Sequence, residues 1–257
     1  MLLITVYPQG FPIPVSDYTI AAYNVVDKIK PRDIILFDIS WAPAAEPYFE
    51  TGFIALFKHI ASKGGRICAM STAADGPMMF DRAIVKLKPK ENWNYEYGRD
   101  YIHIGYIPGY DSAYSSILAD VTKVVSKDYH NTPLSELDMI KDLQEPTYEH
   151  IVLVIHITGD MHTMEGWIRQ CNRYHVPNIC YTYEVIMPQA ITYYPTNTIG
   201  IINGGTGAAE YEVYSGFPGE AAVLSDYQTV GNGIILIFLI LGTIGFLYSR
   251  FRRGLKE

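Results

Sequence analysis

The chain contains little cysteine, and its cysteines form no recognisable motif. Only three of its 257 residues are cysteines, at positions Cys68, Cys171 and Cys180. An odd number of thiols without a Cys-x-x-Cys pair predicts neither a disulfide framework nor a zinc site. Cys68 and Cys180 lie in apolar, strand-like runs and are expected in the core. The sequence leaves a disulfide between Cys171 and Cys180 open.

Common catalytic signatures are also absent. The chain contains no Gly-x-Ser-x-Gly, no P-loop lysine and no His-Glu-x-x-His. Ser71 is a candidate nucleophile of the kind found in crotonase-like membrane serine peptidases. The sequence places no lysine or histidine beside it to activate the hydroxyl. No catalytic residue and no cofactor is therefore predicted.

Positive charge is scarce before the C-terminus. Lys and Arg number 20 against 27 Asp and Glu, for a net charge of −7, and no basic patch precedes the tail. This balance disfavours nucleic acid as a partner. The 21 tyrosines indicate a surface that contacts another subunit, a second copy or a membrane. A general enrichment of tyrosine in the proteins of the source organism would explain this number equally well.

No charged residue occurs between Ile234 and Tyr248, and a basic tail follows at 249–257. Residues 230–248 would form a helix of about 28 Å at about 1.5 Å per residue, which matches the core of a bilayer. We therefore predict a single C-terminal transmembrane helix, with the lipid bilayer as a partner. The small residues Gly242 and Gly245 would let another helix approach.

The charge distribution predicts the orientation of this helix. Four basic residues follow the span and none immediately precedes it, so the tail is expected in the cytoplasm and the large domain outside. No full signal peptide is visible, which opposes this orientation. Residues 1–15 resemble the end of a span followed by an exit loop, which would reconcile the two observations. An ordinary N-terminal arm is the alternative, and both stay open.

Between the two ends, short apolar runs alternate with amphipathic stretches. Strand-like runs occur at 33–40, 66–71, 101–106, 150–157, 178–183 and 198–203. This alternation is typical of a parallel sheet covered by helices on both faces. We predict one doubly wound, Rossmann-like α/β domain of about six strands at 16–217, joined to the span by a helical connector at 218–229.

In such sheets, ligands bind beyond the carboxyl ends of the strands. Asp38, Ser71 and Asp160 fall there and are candidate ligand-binding residues. His156 and His162 flank Asp160 and could complete a metal site, although their spacing matches no metal-binding motif. The simpler interpretation is that Asp160 caps a helix, His156 is a half-buried strand residue and His162 is exposed. A metal is therefore not favoured.

A glycine-rich turn follows the last strand-like run. In "IINGGTGAAEYE", Gly205 and Gly207 could present backbone N–H groups to a phosphate, as in half of a dinucleotide-binding fingerprint. Glu210 stands where that fingerprint has its third glycine. A tight turn packed against a neighbouring element is the alternative.

The stretch "YGRDYIHIGYIPG" predicts a braced strand. Asp100 and Tyr101 lead into the strand, and Gly105 and Gly109 suggest positive φ angles or close backbone approach where it ends. We expect Asp100 to accept hydrogen bonds from loop backbone, as a structural brace rather than a base.

This stretch and "GAAEYE" at 207–212 carry a family resemblance. Together with the C-terminal span, they resemble an uncharacterised family of prokaryotic membrane-anchored α/β proteins with a Tyr-Gly-x-Asp-Tyr-x-x-x-Gly-Tyr-x-Pro-Gly motif. The matching positions are Tyr97, Gly98, Asp100, Tyr101, Gly105, Tyr106, Pro108, Gly109 and Gly207 to Glu212. The resemblance implies a membrane anchor and no particular activity.

Two functions remain open from the sequence. The first is a non-catalytic subunit of a membrane-bound assembly, which forms through the span and a tyrosine-rich surface. The second is a membrane-anchored enzyme or nucleotide-type ligand binder that uses the strand ends. A polar cleft at the strand ends would favour the second function, and strand ends filled by apolar side chains would favour the first.

Overall fold

The computed structural model describes residues 12–87 and 94–254, with side chains up to Tyr248. The strands are β1 (Ile34–Ser40), β2 (Arg66–Ser71), β3 (Tyr101–Tyr106), β4 (Ile151–Thr158), β5 (Asn178–Thr182) and β6 (Gly200–Asn203). The helices are α1 (Asp17–Val26), α2 (Glu46–Ser62), α3 (Gly76–Leu87), α4 (Asp111–Val124), α5 (Met161–Tyr174), α6 (Met187–Tyr193), α7 (Gly204–Ser215) and α8 (Glu220–Gly254).

The six strands form one parallel sheet in the order β3-β2-β1-β4-β5-β6. The chain winds outward from β1 to β3 and then returns to β4 on the other side of β1. This order is that of the Rossmann fold, so the predicted doubly wound α/β architecture is confirmed. The crevice between β1 and β4 is the topological switch point, where Asp38 lies level with His156.

Both faces of the sheet are covered, which explains the continuously apolar strands. Ile35, Phe37 and Ile39 of β1 pack in one core with phenylalanines of α2 and with residues of α1, α3 and α7. Ile34 and Leu36 point to the other face, into a second core with residues of α4 and α5. Alternate residues of each strand therefore enter different cores.

The two outer strands contact other parts of the chain in different ways. On β3, the His103 carbonyl accepts a hydrogen bond from the Tyr129 N–H at 2.9 Å, so the edge is covered at this position, which opposes strand addition there. On β6, a Cβ at Gly200 would lie 2.6 Å from the Ala22 Cα. Because a strand Cβ points out of the sheet, this contact shows that α1 packs closely on the face of β6.

Two segments differ from the sequence-based prediction. The sequence predicts a short helix near 134–143, but the structure has a pair of 3₁₀ turns there, Leu134–Glu136 and Asp138–Asp142. Helix α6, with Pro188 in its first turn, was not predicted. Its seven residues are too few for a helical period to stand out from a proline-containing loop.

Helix α8 begins at Glu220 and continues without interruption to Gly254. Its segment Glu220–Tyr248 has a window of mean hydropathy 2.3, and it is the one helix in the described part of the chain that is long and apolar enough to cross a membrane. The apolar residues from Ile234 to Tyr248 are all exposed on the protein. Most of the predicted N-terminal arm, residues 1–11, and the side chains of the basic tail lie outside the described residues.

Candidate functional site

Asp38 lies at the switch point and is completely enclosed. Its carboxylate accepts hydrogen bonds from the indole Nε1 of Trp167 at 2.6 Å and from the backbone N–H of Thr72 at 3.2 Å. The hydroxyl of Ser40 also donates to it, and that of Thr72 donates at 3.3 Å. Four donors from the chain itself therefore surround the carboxylate.

The buried environment of Asp38 raises the pKa of its carboxyl group. Burial raises the pKa of this carboxyl to about 6, and the hydrogen bonds from Ser40, Trp167 and Thr72 counteract part of that rise. A raised pKa in a crevice is one mark of a functional site. Here, however, the hydrogen-bonding capacity of the group is directed inward, to the neighbouring side chains.

Aromatic rings fill the space around this crevice. The rings of Tyr114 and Trp167 stack with centroids 4.3 Å apart, and both side chains are buried. Tyr183 lies on Gly159, where a Cβ would come within 2.1 Å of the ring. The hydroxyl of Tyr181 donates to the Tyr48 carbonyl at 2.6 Å. The strand ends near β1, β4 and β5 are thus packed with side chains.

Ser71 is the last residue of β2 and is buried. Its hydroxyl lies 2.7 Å from the Ile39 carbonyl and 2.6 Å from the Ala73 carbonyl, and it accepts a hydrogen bond from the Ala73 N–H at 3.0 Å. A Cβ at Gly76 would come within 2.0 Å of this hydroxyl, so α3 starts directly against it. The described contacts of Ser71 include no lysine or histidine.

The His–Asp segment at the end of β4 does not converge. Asp160 is the N-cap of α5 and accepts from the backbone N–H of Thr163 at 2.8 Å. His156 is fully buried rather than half-buried, because β4 is a central strand, and burial lowers its pKa to about 4. His162 is exposed on α5. Among residues 12–87 and 94–248, no group of three potential ligands could hold a metal ion.

Gly205 and Gly207 lie in the first turn of α7. A carboxylate of the chain already occupies this helix start, since a Cβ at Gly204 would lie 2.2 Å from Oε2 of Glu184. The Thr206 N–H points to the same carboxylate at 3.5 Å. At Gly207, a Cβ would lie 3.0 Å from the Ile202 carbonyl carbon, so glycine permits close packing of α7 on β6. Glu184 therefore opposes a phosphate at this position.

A cleft of about 210 Å³ lies beside this helix start, between Tyr48, Glu184 and the first turns of α8. A larger cleft of about 340 Å³ lies where α8 begins, between Glu50, Lys58 and Glu212. A third, of about 330 Å³, lies among ion pairs at the opposite end of the sheet, near Arg66 and Asp142. Neither of the larger clefts lies at the switch point.

The "GAAEYE" motif connects α7 to both ends of the domain. Glu210 accepts hydrogen bonds from the Ser16 hydroxyl and the Thr19 hydroxyl, each at 2.6 Å, and so holds the start of α1. Glu212 is buried, and its carboxylate accepts hydrogen bonds from the backbone N–H groups of Ala221 and Ala222 at 3.2 and 2.9 Å. The Glu212 carboxylate thereby caps the start of α8. Burial raises the pKa of Glu212. The motif thus anchors α8 to the domain.

The loop before β3 is braced as expected. Asp100 accepts a hydrogen bond from the backbone N–H of Glu96 at 2.9 Å and pairs with Arg99 at 2.7 Å, which confirms the predicted backbone contact. Gly105 and Gly109 have φ angles of 99° and 122°, in the region that favours glycine. Tyr101 is buried, with its ring against those of neighbouring aromatic residues.

Several residues of these sites were not predicted from the sequence. Trp167 reaches Asp38 across 129 positions of the chain, and no local pattern indicates such a contact. No local pattern indicates that the Glu184 carboxylate lies at the start of α7 either, because the two segments are far apart in the chain. Glu212 stands inside the motif that was identified, yet its position in the sequence gave no hint that it caps the start of α8. No protein-family model and no curated protein matches this chain.

Proposed function

We propose that this chain is a membrane-anchored, non-catalytic subunit of a membrane-bound assembly of identical or different chains. The observation that carries the proposal is the filled switch point. The crevice that would hold a ligand contains the Tyr114–Trp167 stack, and the Asp38 carboxylate there is surrounded by four donors. A site of this kind stabilises the domain and leaves no room for a substrate beside its one acidic group.

The reactive side chains of the domain support the same proposal. All three cysteines are buried free thiols, and burial raises the pKa of Cys68 to about 12, so a thiolate nucleophile is disfavoured. His103 and His156 are enclosed, and burial lowers the pKa of both imidazoles. Neither histidine is exposed to act as a base on a bound molecule.

The alternative function is a membrane-anchored enzyme or nucleotide-type binder. It would use the 210 Å³ cleft at the start of α7, which is smaller than the roughly 300–1,000 Å³ of ordinary ligand pockets. Glu184 also repels an anion from that helix start.

Thermal unfolding with nucleotides separates the two functions. We expect the midpoint of the full chain in detergent to stay unchanged with millimolar NAD or ATP. A nucleotide at 100 times its Kd would add about 2.7 kcal/mol to the stability, or roughly 5–10 °C for a domain of this size. A rise of that kind would favour the alternative. The variant Glu184→Gln serves as the control, because a shift seen only in that variant would mean that charge alone closes the cleft.

For the orientation, we propose that the domain lies outside the cytoplasm and that the tail from Arg250 lies inside. The support is the basic tail after the apolar segment of α8 and the absence of Lys or Arg in residues 218–229. A protease added to intact spheroplasts should digest the domain and leave a C-terminal tag protected. Digestion of the tag with a protected domain would reverse this orientation.

A further inference from the structure

The direction of α8 relative to the sheet follows from its contacts with α7. Ala221 and Ala222, at the start of α8, are bonded to Glu212 in the last third of α7. Farther along α8, residues Leu224 to Gln228 line the same cleft as Gly205 and Thr206 in the first turn of α7. The two helices therefore run antiparallel. Because α7 begins where β6 ends, α8 leaves the domain at the carboxyl ends of the strands.

The distance from this edge to the apolar part of α8 is short. Ile234, which begins the exposed apolar run, lies six positions after Gln228, which still lines the cleft. At about 1.5 Å per residue this is about 9 Å of helix. A headgroup layer is roughly 5–8 Å thick on each side of the hydrocarbon core. With Ile234 at the boundary of the hydrocarbon core, the edge of the domain next to α8 therefore lies at the outer border of the headgroup layer. With Val230, the first residue of the predicted span, at that boundary, the edge lies about 3 Å from the core and within the layer.

Exposed apolar and aromatic side chains are found along this same edge. We call them the strand-end rim, and each lies where a strand ends or in the loop or first turn that follows. The rim residues are Tyr48, Met78, Tyr106, Tyr110, Met161 and Val185. Val185 is 84% exposed, the largest fraction among the exposed large hydrophobic residues in the described part of the chain. Tyrosine is the residue type enriched at the interface of a bilayer with water.

Charges along the edge indicate how it would bind. Asp75, Asp160 and Glu184 are exposed carboxylates there, and Arg169 is paired with Asp111 at 2.8 Å. The edge thus lacks the cluster of free basic residues, within the described part of the chain, that would attract anionic lipid. Binding would depend on burial of the tyrosine and aliphatic side chains among neutral headgroups.

We infer that the strand-end rim lies in the headgroup layer of the bilayer that α8 spans. The edge at which doubly wound domains ordinarily bind ligands is then the membrane-facing edge of this domain. The inference rests on the proposed membrane anchoring, since α8 positions the rim only if it crosses the bilayer. It adds a second contact between domain and lipid, which fixes the tilt of the domain on the membrane.

Depth-dependent quenching tests the inference with a matched pair of variants. Val185→Cys places a label on the rim, and Val152→Cys places one at the start of β4, on the opposite edge of the sheet. The native cysteines are buried, so a fluorophore reacts with the introduced thiol. With the full chain in phosphatidylcholine vesicles, shallow nitroxide-labelled lipids should quench the Val185→Cys label several-fold more than the Val152→Cys label. Equal quenching of the two labels would overturn the inference.

Flotation of the same vesicles after alkaline carbonate treatment distinguishes a failure of the proposed membrane anchoring from a failure of the inferred position of the rim. A chain that no longer floats with lipid contradicts both the proposed anchoring and the position of the rim. A chain that floats but shows equal quenching contradicts the rim alone. Shielding of the Val185→Cys label that appears only at a high ratio of protein to lipid would mean that a second copy covers the rim, which also overturns the inference.

Discussion

Replacement of Asp38 by alanine is expected to lower the free energy of unfolding by about 3–5 kcal/mol. The substitution leaves the buried Trp167 indole N–H without its acceptor. The Thr72 N–H and the Ser40 hydroxyl lose their charged acceptor and keep only their contacts with each other's residue. An orphaned buried donor costs about 1–3 kcal/mol, and each hydrogen bond to a charged group that is lost adds about 1.5–3 kcal/mol before the site relaxes. Chemical unfolding of the full chain in detergent, followed by tryptophan fluorescence, measures the change.

Asp160→Ala is the matched control for this substitution. Asp160 also follows a central strand, but it is exposed and caps α5, so its loss should cost about 1 kcal/mol. Trp167→Phe removes one donor from Asp38 and should couple to Asp38→Ala in a double-mutant cycle. If Asp38→Ala costs no more than Asp160→Ala, the carboxylate does not hold the switch point together, and a role in binding would become the better explanation.

Glu212→Ala is expected to loosen the start of α8 while the rest of the domain stays folded. The first N–H groups of α8 lose the buried carboxylate that accepts their hydrogen bonds. A loss of about 2 kcal/mol is expected, which corresponds to a roughly 30-fold drop in local hydrogen-exchange protection. Exchange monitored by mass spectrometry over residues 219–226 of the full chain in detergent detects it.

Glu220→Ala provides the comparison at the same helix start. Glu220 is exposed in the first turn of α8 and stabilises it only through the helix dipole, worth about 0.3–1 kcal/mol. Its replacement should change protection less than Glu212→Ala does. Equal protection in the wild-type protein and in Glu212→Ala would show that packing of α8 on α7 is sufficient and that the motif does not anchor α8 to the domain.

The sequence predicts the fold well because its strands are continuously apolar. A parallel sheet between two helical layers needs such strands, and the run at 66–71 coincides with β2 while the run at 33–40 differs from β1 by one residue. The sequence predicts that the last helix of the domain starts at Thr206. Helix α7 begins two residues earlier, because Gly204 adopts a positive φ that lets the helix follow β6 directly. Strand order is not encoded locally and could not be predicted.

The candidate sites show where local reasoning succeeds and where it fails. The N-cap at Asp160 and the backbone contact of Asp100 depend on residues three or four positions away, so the sequence indicates them. Apart from Ser40, the partners of Asp38 come from other elements of the fold, and so do those of Glu210 and Glu212. A sequence pattern identifies such carboxylates as notable, and only the tertiary structure shows that they accept internal hydrogen bonds.

The tyrosines of the domain fall into a buried group and an exposed group. Tyr114, Tyr181 and Tyr211 are core residues, and the hydroxyl of each has a polar partner inside the domain. Tyr48, Tyr106 and others remain exposed, several of them on the strand-end rim. The tyrosine-rich surface predicted from composition is therefore smaller than the count suggests. Association of copies through that surface or through the span stays a prediction.

Native purification from membranes tests the central claim most directly, namely that the chain is a non-catalytic subunit of a membrane-bound assembly. The full chain, carrying a C-terminal tag, is extracted in mild detergent and analysed by native mass spectrometry for bound subunits and retained small molecules. The account predicts a complex of defined stoichiometry, with other chains or further copies, and no small molecule bound at the switch point. A monomer that retains a stoichiometric nucleotide or other metabolite would contradict it.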